Sequence, residues 1–327
     1  MSEIAILSKG EKTRKYLEAK VIVDTKDMVK EEWLKHRQSG IGGSDASCIA
    51  GLNPWKSSIE LYREKKEENP KENKTLRTEL GNRQEGLVAE LFTEETGLKV
   101  RKVNGMLQND KYPFALADID RAIVGEKAFL ECKTTNSYAL KEWEEGVPAH
   151  YEIQCLHYMA ITGATHCYIA ALIGNSDFIW YKIERDQETI DYLMKIEKDF
   201  WENNILKNVV PLPDGSDAYS EYLKKKYDKS NGQAIELHLF EDGKEKLNRY
   251  DEIVADIKVL EVEKKTIEQE IQLQMEEFEV ATVGDRKITW KTSSRNTIDS
   301  KKLKAEMPEI AEKYMKTSIS RTFRVSK

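Results

Sequence analysis

Two short charged motifs, Asp-Ile-Asp at 118–120 and Glu-Cys-Lys at 131–133, constrain the fold of this chain more than any other feature. The first motif lies within a largely apolar stretch, residues 114–124. Residues 125–127 have the composition of a turn, and residues 128–132 are mainly apolar again. This order of apolar stretch, turn and apolar stretch predicts a β-hairpin that carries both motifs.

The hairpin brings acids and a lysine together. Glu131 and Lys133 point to the same face because side chains alternate along a strand, and a paired first strand brings Asp120 beside them. Converging carboxylates repel each other, and a divalent metal compensates for that repulsion. We favour Asp120 over Asp118 as a metal ligand because it follows an apolar residue and lies nearer the turn. The alternative is a solvent-exposed hairpin with ordinary surface charges.

The chemistry of this residue set is that of a metal-dependent phosphodiesterase. Carboxylates of Asp120 and Glu131, together with the Cys132 carbonyl, are oxygen ligands suited to Mg²⁺ or Mn²⁺. A bound metal polarises a phosphate oxygen and lowers the pKa of a water. Lys133 can position that water and stabilise charge that develops on the phosphate. Asp118 is then a residue beside the site or on the surface.

Composition narrows the class of protein. The 327 residues are 39% hydrophobic and 34% charged, which allows one sizeable core domain and a smaller unit. The net charge of −6 is unlike that of a basic nucleic-acid binder, although metals and a local cationic groove can hold phosphate. No apolar run approaches the roughly 20 residues of a membrane span, and the N-terminus lacks the apolar core of a signal peptide. We therefore expect a cytoplasmic protein.

The cysteines point away from a zinc or iron–sulfur protein. The four cysteines, at positions 48, 132, 155 and 167, include no Cys-x-x-Cys pair and predict free, largely buried thiols. A metal site built from Cys155, His157, His166 and Cys167 is disfavoured because the spacing fits no standard ligand pattern.

Hydrophobic periodicity predicts an α/β core in which helices cover both faces of a mixed sheet. Ser44 or Asp45 is a suitable N-cap for a helix that follows the small-residue run at 39–47. The other expected helices are 28–35, 58–67, 80–96, 138–145, 149–162 and 186–203. Beside the hairpin, the expected strands are 99–103, 105–108, 167–173 and 178–183.

Composition changes after residue 213, which predicts a core domain at 1–213, a linker at 214–240 and a tail at 241–327. Apolar residues near heptad spacing predict one long helix at 241–277, able to pack as a coiled coil, with an interruption at Lys264. A hairpin, a helix at 300–316 and a strand at 319–325 are expected to follow. The Lys- and Arg-rich end of the tail is either a solvated face or an arm that contacts DNA.

Four separated segments resemble motifs of the YqaJ-like viral recombinase family. This family is related to phage lambda exonuclease and lies within the PD-(D/E)xK nuclease superfamily. The resemblance covers about residues 30–205 and implies a restriction-endonuclease-like core, a mixed β-sheet flanked by helices. The segments are Trp33-Leu-Lys-His-Arg37 with Gly42-Gly-Ser44-Asp-Ala-Ser, Gly81-Asn-Arg-Gln-Glu85, Ile119-Asp120 with Leu130-Glu131-Cys132-Lys133, and Tyr151-Glu-Ile-Gln154 with Tyr158-Met159. Two departures from the superfamily pattern are Ile119, where proline is usual, and Arg121, where a small residue is usual.

The resemblance implies a role for each matching position. Asp120 and Glu131 match the metal ligands, Lys133 matches the catalytic lysine, and Glu85 matches an additional acid that binds metal or orients a water. Gln154 matches a glutamine that orients the attacking water or a scissile phosphate oxygen.

A phosphate site is implied by two further matches. Arg37 and Ser44 correspond to positions that hold a DNA phosphate, which we expect to be the 5′-terminal one. The chemistry is suitable, because a guanidinium offers a planar pair of donors and amides at a helix start attract anions. The alternative for Arg37 is a surface ion pair.

Together these features predict a Mg²⁺-dependent exonuclease of phage type, with Mn²⁺ as a second metal able to serve. It resects one strand of linear double-stranded DNA from the 5′ end and leaves a 3′ single strand for recombination. The resemblance also implies a ring-shaped trimer and a single-strand annealing protein as partner. Two alternatives stay open: a PD-(D/E)xK endonuclease without end dependence, and a nuclease-like DNA-binding or scaffold protein acting through its C-terminal helix.

Overall fold

The computed structural model describes residues 14–68, 70, 75–235, 243–316 and 320–326. The chain forms two compact units, of which the first ends at Lys226 and the second begins at Tyr227. Within the described ranges, no helix combines the length and the apolar character needed to cross a membrane.

Within its described residues, the first unit combines nine strands with eight α-helices. The strands are β1 (Lys15–Tyr16), β2 (Ala19–Asp24), β3 (Val100–Arg101), β4 (Gly105–Asn109), β5 (Tyr112–Ala117), β6 (Arg121–Ile123), β7 (Ala128–Thr135), β8 (His166–Ile173) and β9 (Asp177–Glu184). The α-helices are α1 (Lys30–Arg37), α2 (Gly43–Ile49), α3 (Ser58–Lys65), α4 (Leu76–Thr96), α5 (Leu140–Glu145), α6 (Ala149–Thr162), α7 (Gln187–Asp199) and α8 (Asp217–Lys226). A 3₁₀ turn precedes α5 at Ser137–Ala139, and a π-helical segment, Phe200–Leu206, continues α7.

Two sheets form the centre of this unit, and the expected mixed sheet is confirmed. One sheet has the order β1-β2-β4-β5 and is antiparallel. The other has the order β3-β6-β7-β8-β9, in which only β7 and β8 run parallel. Helix α6 lies in the connection between these two parallel strands, as a crossover requires.

The hairpin is shorter than the sequence predicts. Strand β5 ends at Ala117, where it pairs with Leu107 in the antiparallel sheet. The chain then passes into the mixed sheet, where β6 pairs with β7 and Arg121 lies opposite Leu130. The expected continuous strand from 114 to 124 is therefore wrong, because its two halves pair with different sheets. The acids at 118–120 lie at this crossing point.

Apolar side chains pack on both sides of the mixed sheet. On one side, a core cluster includes Ile161 of α6, Ile169 of β8 and Ala115 of β5. A smaller cluster joins Phe92 of α4 to Leu130 of β7. Helix α4 packs against β7, the strand that carries the Glu-Cys-Lys motif, and Gln154 of α6 donates a hydrogen bond to Glu131 of β7.

Two helices differ from those expected, α2 in its N-cap and α8 in its presence. Helix α2 begins at Gly43, with Gly42 at its N-cap instead of Ser44 or Asp45. Asp45 lies three residues into the helix, and its Oδ2 accepts a 3.0 Å hydrogen bond from the Gly42 N–H. Helix α8 lies in the segment expected to be a linker, and its Tyr219 is buried, with its hydroxyl donating to the Pro211 carbonyl at 2.9 Å.

The second unit contains the predicted long helix, α9 (Gly243–Met275), and a hairpin of β10 (Val280–Val283) and β11 (Arg286–Thr289). The helix expected at 300–316 is divided into α10 (Ser300–Glu306) and α11 (Pro308–Lys313). The division falls at Met307 because Pro308 has no N–H to continue α10. Residues 320–326 have no regular secondary structure, so the strand expected there is wrong; residue 319 lies outside the described residues. Coiled-coil pairing of α9 stays a prediction.

Candidate active site

A cleft of about 470 Å³ lies where the two sheets meet, and most of the predicted site residues line it. A second cleft adjoins it and includes Lys133. The predicted residues in the wall of the first cleft are Arg37, Ser44, Glu85, Asp120, Glu131 and Gln154. Residues that are up to 117 positions apart in the chain, from Arg37 to Gln154, therefore face one space.

Glu131 is the centre of a buried hydrogen-bonded group. Its Oε1 accepts from the Lys133 Nζ at 2.7 Å and from the Gln154 Nε2 at 2.6 Å. The Lys133 ammonium also donates to the Gln154 Oε1 at 3.1 Å, which closes a three-residue ring of contacts. Burial favours the neutral amine of Lys133, but the carboxylates of Glu131 and Asp120 outweigh it and raise its pKa. Lys133 is therefore a fixed cation in the second cleft, beside Glu131.

Asp120 lies on the other side of the hairpin turn and faces β7, the strand that carries Glu131 and Lys133. Its Oδ2 accepts a 2.7 Å hydrogen bond from the Cys132 N–H. Burial, then the charges of Glu131 and Glu85, raise the pKa of Asp120 well above its ordinary range. Burial likewise raises the pKa of Glu131, against the opposing effect of Lys133. A pair of carboxylates raised in this way is stabilised in its charged form by a cation.

Asp118 points to a different partner. Its Oδ2 accepts a 2.7 Å hydrogen bond from the Trp33 indole N–H, and burial raises its pKa. Asp118 therefore faces α1, whereas Asp120 faces β7. This difference favours Asp120 as the ligand, although both aspartates line the first cleft.

The side chains present fit a divalent metal in one specific respect. Within the described part of the chain, Glu131 Oε2 is buried and has no hydrogen-bond partner. A buried carboxylate oxygen without a partner is destabilising, and a hard cation would satisfy it. The described residues contain no group of three or more His, Cys, Asp and Glu side chains already arranged around a metal position. Asp120 and Glu131 thus supply two oxygen ligands, and the others have to come from the Cys132 carbonyl, water or Glu85.

Glu85 lies on α4, and its carboxylate pairs with Arg121 at the wall of the cleft. The Arg121 guanidinium also donates to the Asp120 carbonyl at 2.7 Å. The Arg121 side chain thereby links the Glu85 carboxylate to the Asp120 backbone. Its charge offsets part of the repulsion between Glu85 and Asp120.

Arg37 and Ser44 lie together in the same cleft. The Arg37 guanidinium donates to the Ser44 hydroxyl and, at 3.0 Å, to the Asp45 Oδ1. The carboxylate of Asp45 raises the pKa of Arg37 against the effect of burial. A charged guanidinium, a hydroxyl and the first residues of α2 thus face a common space, a combination that suits a phosphate.

A buried ion pair behind Arg37 was not predicted. The Lys65 Nζ lies 2.7 Å from the Asp45 Oδ2 and donates to the carbonyls of Arg37 and Gly40 at 2.9 and 2.6 Å. Burial lowers the pKa of Lys65. One signal was available: Lys65 follows the buried Leu61 by four residues, so it lies on the apolar face of α3. A lysine at such a position indicates a buried partner.

These side chains and their sheet define the class of protein. Glu131 and Lys133 lie two residues apart on the central strand β7, and Asp120 immediately precedes the neighbouring strand β6, an arrangement that suits a metal-dependent phosphodiesterase. A sequence profile described as "YqaJ-like viral recombinase domain" matches residues 32–165. The "Uncharacterized protein YqaJ" of Bacillus subtilis (strain 168) is 41% identical over 310 residues, 93% of this chain and 97% of that protein. The chain therefore belongs to the YqaJ-like viral recombinase family.

Two solved structures match part of the chain. An alkaline exonuclease from Laribacter hongkongensis, LHK-Exo, is 21% identical, with a TM-score of 0.47 over 60% of this chain and 97% of that one. A phage-related exonuclease from Haemophilus somnus 129PT is 14% identical, with a TM-score of 0.40 over 54% of this chain and 99% of that one.

Proposed function

We propose that this protein is a Mg²⁺-dependent deoxyribonuclease that resects one strand of linear duplex DNA from its 5′ end. It leaves a 3′ single strand, which fits the recombinase description of its family. One observation carries the proposal: Asp120, Glu131 and Gln154 line the same cleft as Arg37 and Ser44, and Lys133 is hydrogen-bonded to Glu131 and Gln154 at its wall.

The metal-binding residues we propose are Asp120 and Glu131, with Glu85 as an additional acid. The oxygen-only set suits Mg²⁺ and also allows Mn²⁺. A bound metal supplies Lewis-acid polarisation of a phosphate oxygen and lowers the pKa of a nearby water. The unpaired Glu131 Oε2 supports this assignment.

The side chains around Glu131 supply the remaining functions. The Lys133 ammonium offers a permanent positive charge beside the position where phosphate charge increases during hydrolysis. Gln154 is fixed by contacts to Glu131 and Lys133, so its amide can orient a water or a phosphate oxygen without reorganisation. Because these groups are held before substrate binds, little ordering remains to be done at the moment of reaction.

The Arg37 and Ser44 site supports action at an end. A phosphate held there, with the scissile phosphodiester at Asp120 and Glu131, places the cut close to a strand terminus. An enzyme that binds a terminal phosphate in this way requires an end to begin. Linear duplex should therefore be degraded in Mg²⁺ while a covalently closed circle of the same sequence survives. Cutting of the closed circle would favour an endonuclease and defeat the exonuclease proposal.

Replacing Arg37 with alanine is expected to remove the preference for 5′-phosphorylated ends. Hydrogen bonds to charged groups contribute about 1.5–3 kcal/mol, so the ratio of rates on phosphorylated and unphosphorylated duplex should fall by about 10- to 150-fold. Initial rates on two end-labelled duplexes that differ only in the 5′ phosphate measure this ratio.

Two further variants test whether the change in this ratio comes from the phosphate site itself. Ser44→Ala removes one hydroxyl without disturbing the Asp45 pair and should lower the same ratio. Arg63→Ala removes an exposed arginine from α3 and should leave the ratio unchanged. An unchanged ratio in Arg37→Ala would show that the phosphate assignment is wrong.

We also propose an oligomeric state and a partner protein, both of which follow from the family resemblance. The protein would act as a ring-shaped trimer on duplex ends, and it would deliver the 3′ strand to a single-strand annealing protein. The exposed apolar residues of α9, Ile257 and Leu260 among them, offer one surface for assembly. Sedimentation of the full-length protein, with and without DNA, measures the first of these proposals.

A further inference from the structure

A second cleft of about 430 Å³ adjoins the first and shares one wall with it. The side chains common to both clefts are Asn82, Glu85, Asp120 and Glu131. Arg37 lies only in the first cleft, and Lys133 and Trp55 only in the second, so the carboxylates separate the two spaces. A strand with its terminal phosphate at Arg37 and its scissile phosphate at the shared wall continues into the second cleft.

Trp55 stands at the rim of this second cleft and is 59% exposed, which is unusual for so large an apolar side chain. Its backbone is held by Asn53, whose Oδ1 accepts from the N–H groups of Trp55 and Lys56, both at 2.9 Å. The Asn53 amide in turn donates to the Ser47 hydroxyl at 3.0 Å. The indole is therefore presented by an ordered turn.

The indole has aromatic support on one side and a cation on another. The His150 ring meets it edge-on, with the centroids 4.7 Å apart, and His150 lies 4.0 Å from the Tyr151 ring. The Arg77 guanidinium lies 5.8 Å from the indole centroid and lines the same cleft. Exposed aromatic rings and guanidinium planes are surfaces on which unpaired nucleobases stack.

We propose that Trp55 and Arg77 form a stacking site for a nucleobase of the strand being degraded. The base is that of the second nucleotide from the 5′ end, on the retained side of the scissile bond, and it unpairs from the complementary strand to reach the site. This placement rests on the proposed function, because it takes the terminal phosphate to be at Arg37. The site accepts any of the four bases, since stacking uses the ring face and no base edge.

The position of the site gives it a role in alignment. Tyr151, which packs against His150, also lies under the catalytic lysine, with Lys133 Nζ 4.8 Å from its ring centroid. A base held on Trp55 is therefore anchored to the same helix α6 side chains that surround Lys133. Stacking fixes the strand on one side of the carboxylates while the phosphate site fixes it on the other.

A double-mutant cycle between protein and DNA tests the proposal through binding. Full-length wild type and Trp55→Ala are titrated, in EDTA to prevent cleavage, against 5′-phosphorylated duplexes labelled for fluorescence anisotropy. One duplex is intact, and others carry an abasic residue at the first, second or third position from the 5′ end. Trp55→Ala should weaken binding of the intact duplex by about 5- to 150-fold. The abasic residue at position two should cause a similar loss, and combining both changes should cause no further loss.

Two control variants isolate stacking from general effects. Trp55→Phe keeps an aromatic ring and should retain most of the affinity. Tyr138→Ala removes an aromatic side chain that is 95% exposed and is not among the described residues lining either cleft, so its affinity should equal that of wild type. Because Trp55 is exposed, Trp55→Ala should unfold at the same temperature as wild type.

Three results overturn the inference. The first is unchanged DNA binding by Trp55→Ala, and the second is that the affinity losses from Trp55→Ala and from the abasic residue at position two multiply independently. The third is that Trp55→Ala is coupled to an abasic residue at position one or three instead of position two. These outcomes are separable from failure of the proposed function. A protein that never cleaves linear duplex in Mg²⁺ defeats the nuclease proposal, whereas the binding cycle reports on the stacking site in the absence of cleavage.

Discussion

Replacing Lys133 with alanine is expected to lower the rate of linear duplex hydrolysis in Mg²⁺ by about 100- to 1000-fold, the effect of removing one preorganised charge-stabilising donor. The partly buried Lys133 ammonium contacts both Glu131 and Gln154, so the variant loses the charge beside the phosphate and the two side chains lose their shared partner. Release of acid-soluble nucleotides from uniformly labelled duplex measures the rate, and binding in EDTA shows that DNA is still held.

The matched control is Lys127→Ala, which removes an exposed lysine from the turn between β6 and β7. Its rate should equal that of wild type. Thermal unfolding of Lys133→Ala has to be measured as well, because Glu131 is left buried without its cation. If purified wild type and Lys133→Ala share the same absence of DNA turnover in Mg²⁺, the protein is not an enzyme of this kind.

Replacing Asp45 with asparagine is expected to destabilise the first unit by about 3–5 kcal/mol, because breaking a buried pair leaves the partner charge uncompensated. Asp45 is 1% exposed and pairs with both Lys65 and Arg37. For a unit of this size the unfolding temperature should fall by about 6–20 °C. Differential scanning fluorimetry of the full-length protein measures the change.

The contribution of Asp45 to folding stability changes with pH in a definite direction. Burial favours the neutral acid, but Lys65 and Arg37 outweigh it and hold the pKa of Asp45 well below its usual range. A carboxyl whose pKa is depressed stabilises the fold above its unfolded pKa, about 3.9, and this contribution is lost as pH falls. Wild type should therefore lose stability on acidification below about pH 4 more steeply than Asp45→Asn.

A surface pair provides the comparison for this prediction. Asp110 pairs with Lys20, but its side chain is 77% exposed. Asp110→Asn should change stability by less than about 1 kcal/mol, since exposed ion pairs contribute little. Equal losses of folding stability in Asp45→Asn and Asp110→Asn would contradict the view that the Asp45 pair holds Arg37 and α2 in place.

The chemical centre could be predicted because its main contacts follow from local rules. Strand alternation places Glu131 and Lys133 on one face, and the 2.7 Å contact between them is the direct consequence. The hairpin pairing brings Asp120 to Cys132 in the same way. Helix α6 was also readable from its periodicity, and its bounds are those expected.

The other features of the fold and site depend on contacts between residues that are far apart in the sequence. Whether residues 114–117 pair with β4 or continue into β7 is decided by competition between two sheets, and no pattern within that segment records the outcome. The Asp45 and Lys65 pair joins two helices whose packing the sequence does not state. Trp55 follows Asn53-Pro54, a pair typical of a turn, and its position at a cleft rim is a property of the folded chain.

The central claim is that a metal-dependent site degrades DNA from a 5′ end. Digestion of 5′- and 3′-end-labelled linear duplex, with and without a 5′ phosphate, in Mg²⁺ and in EDTA, tests it most directly. We predict early release of the 5′ label from phosphorylated ends, persistence of the 3′ label, and no release in EDTA. Release of the 3′ label first, or equal digestion in EDTA, would contradict the account.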